Sequence, residues 1–282
     1  MILGYSTNAF VNYDLPDAIA MIAEMGFKGA EIVCKPPHFP PLDFAECDSA
    51  ALKACIEKSG LRVTNLNSLT LFSETDNHLP YWIRSPEERR RIRIDHTLRS
   101  LRLASFLGCR NISLPSGGPF RNMTSREMAA HFRASLEPVL PLAEELRMEV
   151  LIEPEPALLA ENGSHVRDLL RELGSAATGL NFDAGHYFCA GQDPAQAFEE
   201  MFEWIGHVHL EDIAPDRTHK HLIPGHGAID FFALFKAMAD LDYQKDVCLE
   251  LYTCKDRPRE AGLESLRYLR PILQKAGLGV DL

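Results

Sequence analysis

Four residues of the kind that bind metal ions follow short apolar runs in the second half of the chain. The runs read VLIE, LNFD, HVH and VCLE, and the residues are Glu153, Asp183, His209 and Glu250. They are separated by 30, 26 and 41 residues, and a β-strand with its crossover helix takes about 30 residues or more. The spacing predicts that they end four successive parallel strands, where a (β/α)₈ barrel carries its chemistry. Three carboxylates and one imidazole suit a hard or borderline divalent cation.

Each of these residues also has an ordinary structural explanation. A carboxylate after a strand, such as Glu153 or Glu250, can be a solvated loop residue, and Asp183 can cap the following helix. His207 and His209 face the same side of a strand, and we favour His209 because it is nearer the strand end. The coincidence of four such residues at four strand ends favours a metal site.

A metal at this site would give a defined chemistry. It could take two adjacent oxygens of a hydroxy-ketone, polarise the carbonyl and acidify the neighbouring C–H bond. Glu153 and Glu250 come from opposite sides of the site, so one could remove that proton and the other return it. In the NFDAGH segment Gly185 permits a tight turn, and His186 could hydrogen-bond the carbonyl oxygen as an enolate forms. The alternative for His186 is a polar residue on the first turn of a helix.

The histidine-rich segment HKHLIPGHG, residues 219–227, follows the strand that contains His209. Glycines free its backbone, and we expect the segment to cover a substrate. His221 is predicted to contact that substrate, whereas His219 and His226 are predicted to face solvent. Three histidines in one loop could instead indicate additional metal.

Polar side chains near the ends of earlier strands predict a wall that binds hydroxyl groups. Asn67 and Ser116 belong to this set, because an amide or hydroxyl supplies both donors and acceptors. Such residues are equally good turn formers. Glu31, which follows GFKGA in the second strand, is a further candidate. Its alternative role is a hydrogen-bond brace that positions the first strand.

The chain alternates eight times between strand-like and helix-like segments. The strands are short, apolar and often β-branched, which is typical of a parallel sheet buried on both faces. We predict an α/β fold, a single-domain (β/α)₈ TIM barrel over residues 1–282. No GxGxxG motif or P-loop follows the first strand, which disfavours an open dinucleotide-binding sheet. Thr124 and Glu127 form a capping box that predicts a helix to about Arg147.

Composition excludes several classes of protein. The 282 residues are 46% hydrophobic and 24% charged, as in ordinary folded proteins. A net charge of −11 disfavours binding to a phosphate backbone. The run RSPEERRRIRIDHTLRSLR is basic, but its apolar residues recur at helical spacing. It predicts an amphipathic helix with a solvated face, whose arginines could contact a partner subunit.

Cysteine usage and hydropathy bear on location. Seven cysteines without a CxxC pair indicate reduced thiols, and we expect a cytoplasmic protein. The segment MILGYSTNAF is not expected to act as a signal peptide. No apolar stretch approaches the roughly 18 residues of a membrane span, so no membrane association is predicted.

The motifs GFKGAE, EPEP, NFDAGH, HVHLED, PGHGAIDF and LELY together resemble the xylose isomerase-like TIM-barrel superfamily. This is the sugar phosphate isomerase/epimerase group, of the AP endonuclease family 2 type, which also contains endonuclease IV. The resemblance covers essentially the whole chain. It implies that the four residues match the metal ligands of ketose 3-epimerases. It also implies that Glu153 and Glu250 form their proton-transfer pair.

The resemblance also assigns residues that bind substrate. It implies this role for His186, and Glu155 of the EPEP segment joins the predicted substrate contacts. Two positions depart from the epimerase pattern. His221 stands where the epimerases place an arginine just before the PG turn, and His226 replaces the usual glutamate of PGEG.

Our leading hypothesis is an isomerase or epimerase that acts on a keto-sugar or cyclitol with one divalent metal ion. Mn²⁺ is favoured over Mg²⁺, Co²⁺ and Zn²⁺. The alternative is a dehydratase of the 3-dehydroshikimate or inosose type. A nuclease ranks far lower, because endonuclease IV-like enzymes need histidines after strands three and four, where this chain reads NLNSLT and NISLPSGG. A non-catalytic binding barrel also ranks low. The family resemblance further suggests a homo-oligomer.

Overall fold

The computed structural model describes residues 1–38, 46–69, 82–83, 87–118 and 120–281, with residues 46–48 described by their backbone alone. Eight β-strands run through this part of the chain. They are β1 (Leu3–Ser6), β2 (Gly29–Val33), β3 (Arg62–Asn67), β4 (Asn111–Pro115), β5 (Glu149–Glu153), β6 (Thr178–Asp183), β7 (Ile205–Leu210) and β8 (Val247–Leu249).

The strands form a closed parallel barrel in the order of the chain. The barrel closes where β1 pairs with β8, with Leu3 opposite Val247 and Tyr5 opposite Leu249. Nearly every strand residue is buried, because side chains fill the barrel interior on one face and meet helices on the other. The predicted single-domain (β/α)₈ barrel is confirmed.

Helices surround the barrel. They are α1 (Leu15–Glu24), α2 (Glu46–Ser59), α3 (Glu87–Phe106), α4 (Ser125–Leu136), α5 (Leu140–Leu146), α6 (Gly163–Leu173), α7 (Ala184–Cys189), α8 (Pro194–Met201), α9 (Phe231–Asp240) and α10 (Pro258–Ala276). Short 3₁₀ turns lie at Thr7–Phe10, Phe202–Trp204 and Tyr252–Cys254. Among the described helices, none combines the length and the apolar character that a membrane span requires.

The helix predicted from Thr124 to Arg147 is two helices, so that prediction was wrong in its extent. The capping box of Thr124 and Glu127 is present and begins α4. The helix then ends at Leu136, and α5 begins at Leu140. Pro138 lies between them, and a proline ring removes a backbone donor and clashes with the preceding turn.

The described part of the basic run, from Glu87 onwards, lies in α3 as predicted, but the helix does not bury all of its apolar residues. Ile92 is exposed, whereas Arg93 is buried. The Arg93 guanidinium lies 5.2 Å from the centre of the Trp82 ring, and it donates a hydrogen bond to the Leu69 carbonyl. The guanidinium of Arg93 thus forms a cation–π contact with Trp82. The helical spacing of apolar residues in the sequence does not reveal that an arginine is buried here.

Gly206 of β7 is fixed by packing in the barrel interior. A Cβ atom there would lie 2.4 Å from Leu151 Cδ2 and 2.7 Å from Glu149 Oε2. We predict that Gly206→Ala lowers the free energy of unfolding by about 1–3 kcal/mol, the usual cost of overpacking. Gly279→Ala is the control, because its Cβ would meet nothing within 4 Å. Urea unfolding measures both, and equal midpoints would contradict the packing argument.

Candidate metal centre

The four predicted ligand residues meet at the C-terminal rim of the barrel. Glu153 ends β5, Asp183 ends β6, His209 is the next-to-last residue of β7, and Glu250 directly follows β8. All four are buried, and each offers one ligand atom within 4.8 Å of the others. The neighbouring strands of a parallel barrel bring these positions together, as the sequence spacing predicted.

The Nδ1 atom of His209 lies among the three carboxylates. It is 3.1 Å from Glu153 Oε1, 3.6 Å from Asp183 Oδ2 and 3.6 Å from Glu250 Oε2. On the other side of the ring, Nε2–H donates to Glu31 Oε2 over 2.6 Å. The three carboxylates therefore surround the Nδ1 edge of His209, where either a proton on Nδ1 or a divalent cation would balance their charge.

The charges at this centre favour a positive partner. Burial opposes the charged form of His209, but Glu31, Glu250 and Glu153 outweigh it and raise the pKa of His209 well above its usual value. Burial, together with the charges of Glu153 and Glu31, raises the pKa of Glu250. Like charges held this close cannot all ionise without a positive partner.

Asp183 caps the following helix and also directs an oxygen at the other three residues of the group. Its Oδ1 accepts the backbone N–H of His186 over 2.7 Å and so caps α7. Its Oδ2 is buried and has no hydrogen-bond partner among the residues that the structure describes. An orphaned carboxylate oxygen aimed at other donors fits a metal ligand. The oxygen-rich donor set, completed by one imidazole, fits a divalent cation of the Mg²⁺, Mn²⁺, Co²⁺ or Zn²⁺ type.

Glu31 supports this centre from below and does not line the cavity above it. Ser6 Oγ donates to its Oε1 over 2.6 Å, and Asn65 Nδ2 donates to its Oε2 over 2.7 Å. Burial raises the pKa of Glu31, but the contact with His209 outweighs burial and lowers it to about 2. The predicted substrate contact of Glu31 is therefore replaced by its alternative role as a brace, here for His209.

His207 lies one layer deeper than His209. Its Nδ1 lies 2.9 Å from Asn181 Oδ1, and it forms no part of the four-residue group. Burial lowers the pKa of His207 to about 3, so the ring is neutral. The choice of His209 over His207 agrees with this geometry.

Position 185 needs a glycine because a side chain there would collide with Glu211, and not because of the conformation of the backbone turn. A Cβ atom at Gly185 would lie 2.0 Å from Glu211 Oε1, which accepts the Gly185 N–H. Burial, followed by the charge of Asp183, raises the pKa of Glu211 well above its usual value. The close contact of Glu211 with the turn after Asp183 becomes visible only in the fold.

A cavity of about 370 Å³ opens above the four residues. Four residues that were predicted to bind substrate line this cavity together with Glu153 and Glu250, and they are Asn67, Glu155, His186 and His221. In all, the wall is formed by Asn8, Val11, Val33, Lys35, Asn67, Leu69, Glu153, Glu155, His186, His219, His221, Glu250 and Tyr252.

Two of the predicted substrate contacts have clear positions in the cavity wall. Asn67 directs Nδ2 towards Glu250 Oε1 at 3.5 Å. Glu155 is half-buried, and burial raises the pKa of its carboxyl to about 7. Ser116 is not brought to the cavity. Its Oγ accepts the backbone N–H of Ala160 over 2.9 Å and so braces the loop that carries Glu155.

The histidine-rich segment folds over the cavity. His221 is buried, and its Nδ1–H donates to the Glu250 carbonyl over 2.7 Å. His219 was predicted to face solvent, and this was wrong, because it lines the cavity and its Nε2 lies 2.9 Å from His186 Nε2. His226 is exposed as predicted and contacts Glu264 over 2.8 Å.

Sequence reasoning gave little or no weight to three cavity residues. Asn8 donates from Nδ2 to Glu250 Oε1 over 2.7 Å, and Lys35 and Tyr252 contribute a cation and an aromatic ring to the wall. Asn8 and Lys35 follow the ends of β1 and β2, and Tyr252 closes the LELY motif. In the sequence, only their positions near strand ends indicated that these residues could line the site.

An eight-stranded parallel barrel with a carboxylate–imidazole group at its C-terminal rim defines the structural class of this protein. The family model described as the xylose isomerase-like TIM barrel matches residues 19–272. The chain belongs to that family.

Known relatives are similar over most of their length. An inosose dehydratase of Clostridium botulinum (strain Eklund 17B / Type B) is 23% identical over 279 residues, which cover 88% of each chain. Among solved structures, a D-tagatose 3-epimerase-like protein has a TM-score of 0.81 at 20% identity, with 98% of this chain and 99% of that chain covered. The IolI protein with a bound zinc atom has a TM-score of 0.80 at 14% identity, with the same coverage.

The contact between Glu31 and His209 yields a prediction about metal affinity. Glu31→Gln removes the charge that accepts His209 Nε2–H, so we expect the affinity for Mn²⁺ to fall about 10–100-fold, as for other second-layer partners of metal-bound histidines. Competition with a fluorescent chelator measures this affinity. Glu264→Gln, on the surface, is the matched control. An unchanged affinity in Glu31→Gln would contradict the bracing role.

Proposed function

We propose that this protein is a divalent-metal-dependent isomerase or epimerase that acts on a keto-sugar or cyclitol. Two buried glutamates on the same cavity carry the proposal. Glu153 Oε1 and Glu250 Oε2 approach His209 Nδ1 from β5 and from the end of β8. Both therefore stand beside any substrate carbon held above the four-residue group.

In this proposal Glu153, Asp183, His209 and Glu250 hold the metal ion. When bound, the ion would polarise the substrate carbonyl and acidify the adjacent C–H bond. Glu153 or Glu250 would take the proton from that carbon, and the other would return it to the opposite face. A change of configuration follows when removal and return occur on different faces.

Hydrogen bonds within the chain hold these groups in place. Asn8 donates a hydrogen bond to Glu250 Oε1, and the other oxygen of Glu250, Oε2, points towards His209 in the four-residue group. His186 Nδ1–H donates to the Pro154 carbonyl over 2.7 Å, so its Nε2 edge is presented at the cavity wall. In the proposal, His186, His221, Glu155 and Asn67 bind the polar groups of the substrate.

A dehydratase is the second candidate, and the similarity to inosose dehydratases supports it as strongly as the structural neighbours support an epimerase. The first half of both reactions is removal of a proton next to a carbonyl. In a dehydration the resulting electron pair forms a C=C bond, and a neighbouring hydroxyl leaves as water. The two outcomes differ in product mass by one water.

Several further properties belong to the same proposal. Mn²⁺ is the metal we favour, because a carboxylate-rich site suits it. The substrate is a small carbohydrate and not a nucleic acid, since the net charge is −11. We place the enzyme in the cytoplasm on its cysteine usage. A homo-oligomer remains a prediction.

Proton removal is tested by solvent exchange. We expect the Mn²⁺-loaded protein in D₂O to introduce deuterium into a keto-hexose or an inosose, detected by mass spectrometry. Glu153→Gln and Glu250→Gln should each slow this uptake about 10²–10⁴-fold, because each removes one proton-transfer group. His226→Ala, an exposed residue, should not change it. Uptake at the wild-type rate in both glutamine variants would overturn the proposed roles.

A further inference from the structure

We propose that Asp212 positions the β7–α9 loop (residues 213–229) and thereby holds His219 and His221 in the wall of the cavity. This role of Asp212 rests on the proposed function, because the two histidines need fixed positions only if they bind substrate. Asp212 comes two residues after the end of β7 and is 1% exposed. It lies outside the four-residue group and does not line the cavity itself.

The carboxylate of Asp212 accepts four backbone N–H groups, and all of them belong to this loop. Its Oδ2 accepts those of Gly225 and Gly227, each over 2.8 Å. Its Oδ1 accepts those of Ile213 over 3.0 Å and of Ile229 over 3.1 Å. Hydrogen bonds to an ionised acceptor are about twice as strong as neutral ones. One side chain therefore ties the beginning of the β7–α9 loop to its end.

The backbone of Asp212 holds the middle of the same loop. Asp212 and Leu222 form an antiparallel bridge, with N–O distances of 2.8 and 2.7 Å. Because Leu222 directly follows His221, this bridge fixes the backbone beside that histidine. The ring of His221 contacts the Glu250 carbonyl, and its own carbonyl accepts the hydroxyl of Thr253. Asp212 thus holds His221 from one side, and the segment after β8 holds it from the other.

Two glycines let the loop come this close to a buried carboxylate. A Cβ atom at Gly227 would lie 2.3 Å from Asp212 Oδ1 and 2.3 Å from the Ile213 carbonyl oxygen. Gly225 has a φ of +97°, in the region that favours glycine. The glycine positions of the loop therefore match the N–H groups that the carboxylate accepts.

These contacts distinguish a fixed wall from a mobile lid. Segments that open and close readily have few buried contacts and many solvent-exposed backbone hydrogen bonds. In the β7–α9 loop, the N–H groups of Gly225, Gly227 and Ile229 instead meet a side chain that is almost completely buried. The loop is therefore a preformed part of the substrate site.

Asp212→Asn tests this role, because it keeps the shape of the side chain and replaces one acceptor oxygen with an NH₂ group. Two of the four loop N–H groups then lose their acceptor. Hydrogen–deuterium exchange of the amides in residues 213–229 should become at least about 10-fold faster, since a hydrogen bond to a charged group contributes about that factor or more. Mass spectrometry of the full-length protein measures this exchange without any substrate.

Asp216→Asn is the matched control. Asp216 is an exposed residue of the same loop, and its carboxylate accepts the Thr218 N–H over 3.0 Å. We expect amide exchange in residues 219–229 of this variant to match that of the wild-type protein. The same substitution type in the same loop thus separates the contacts of Asp212 from a general effect of removing a charge.

Kinetics give a readout that a general loss of stability would not change. For a keto-sugar or inosose that the wild-type protein converts, Asp212→Asn should raise KM about 10-fold and lower kcat less than about 3-fold. The reason is that Glu153 and Glu250 stay in place, whereas binding contacts from the loop are lost. Partial unfolding would instead lower the apparent kcat at an unchanged KM.

The outcomes separate this role from the proposed function. Unchanged amide exchange in Asp212→Asn, or faster exchange with an unchanged KM, would overturn the positioning role. If the wild-type protein converts no keto-sugar or inosose, the proposed function fails, while faster exchange around His219 and His221 still supports Asp212 as the residue that holds them. If Asp212→Asn does not fold, Gly227→Ala crowds the same carboxylate and should produce the same two changes.

Discussion

Buried negative charge at the C-terminal rim of the barrel is the constraint on which the rest of this structure depends. Glu153, Asp183 and Glu250 lie around one imidazole nitrogen and are almost completely buried. Removing one carboxylate from water costs several kcal/mol even after relaxation, so three of them need strong compensation. A divalent cation supplies it, and the same cation supplies the reactivity that we propose.

Side-chain hydrogen bonds below the rim stabilise this arrangement. Glu31 fixes the ring of His209, and Ser6 and Asn65 in turn fix Glu31. These contacts join β1, β2, β3 and β7 through side chains, so the geometry of one ligand is set by half of the barrel. The buried apolar residues between the strands and the surrounding helices provide the stability that offsets the charged rim.

The fold and the four-residue centre could be predicted from the sequence because both follow from regular spacing. A ligand residue at the end of a strand keeps that position whatever its loop does, and parallel strands of a barrel place all such ends on one rim. The sequence also marks the division between α4 and α5, because Pro138 lies between them. The prediction of one longer helix did not take this proline into account.

The remaining residues depend on contacts between segments far apart in the chain. His219 comes to the cavity because its loop folds back onto His186, which is 33 residues away. Glu31 faces His209 across 178 residues, and Ser116 meets Ala160 across 44. The periodicity of apolar residues along the sequence does not reveal such long-range pairs. A polar residue near a strand end can face the substrate, a ligand or a loop, and only the fold decides which.

The proposed centre would suit an epimerase or a dehydratase, because both reactions begin with proton removal beside a carbonyl. What separates them is the fate of the electron pair, and this depends on groups around the substrate more than on the metal ligands.

The central claim is that Glu153, Asp183, His209 and Glu250 bind one metal ion. Crystals soaked in Mn²⁺ and measured at the manganese absorption edge test it most directly. The account predicts an anomalous difference peak about 2.0–2.3 Å from an atom of each of the four side chains. A map with no peak among them, or with its strongest peak elsewhere in the protein, would contradict it.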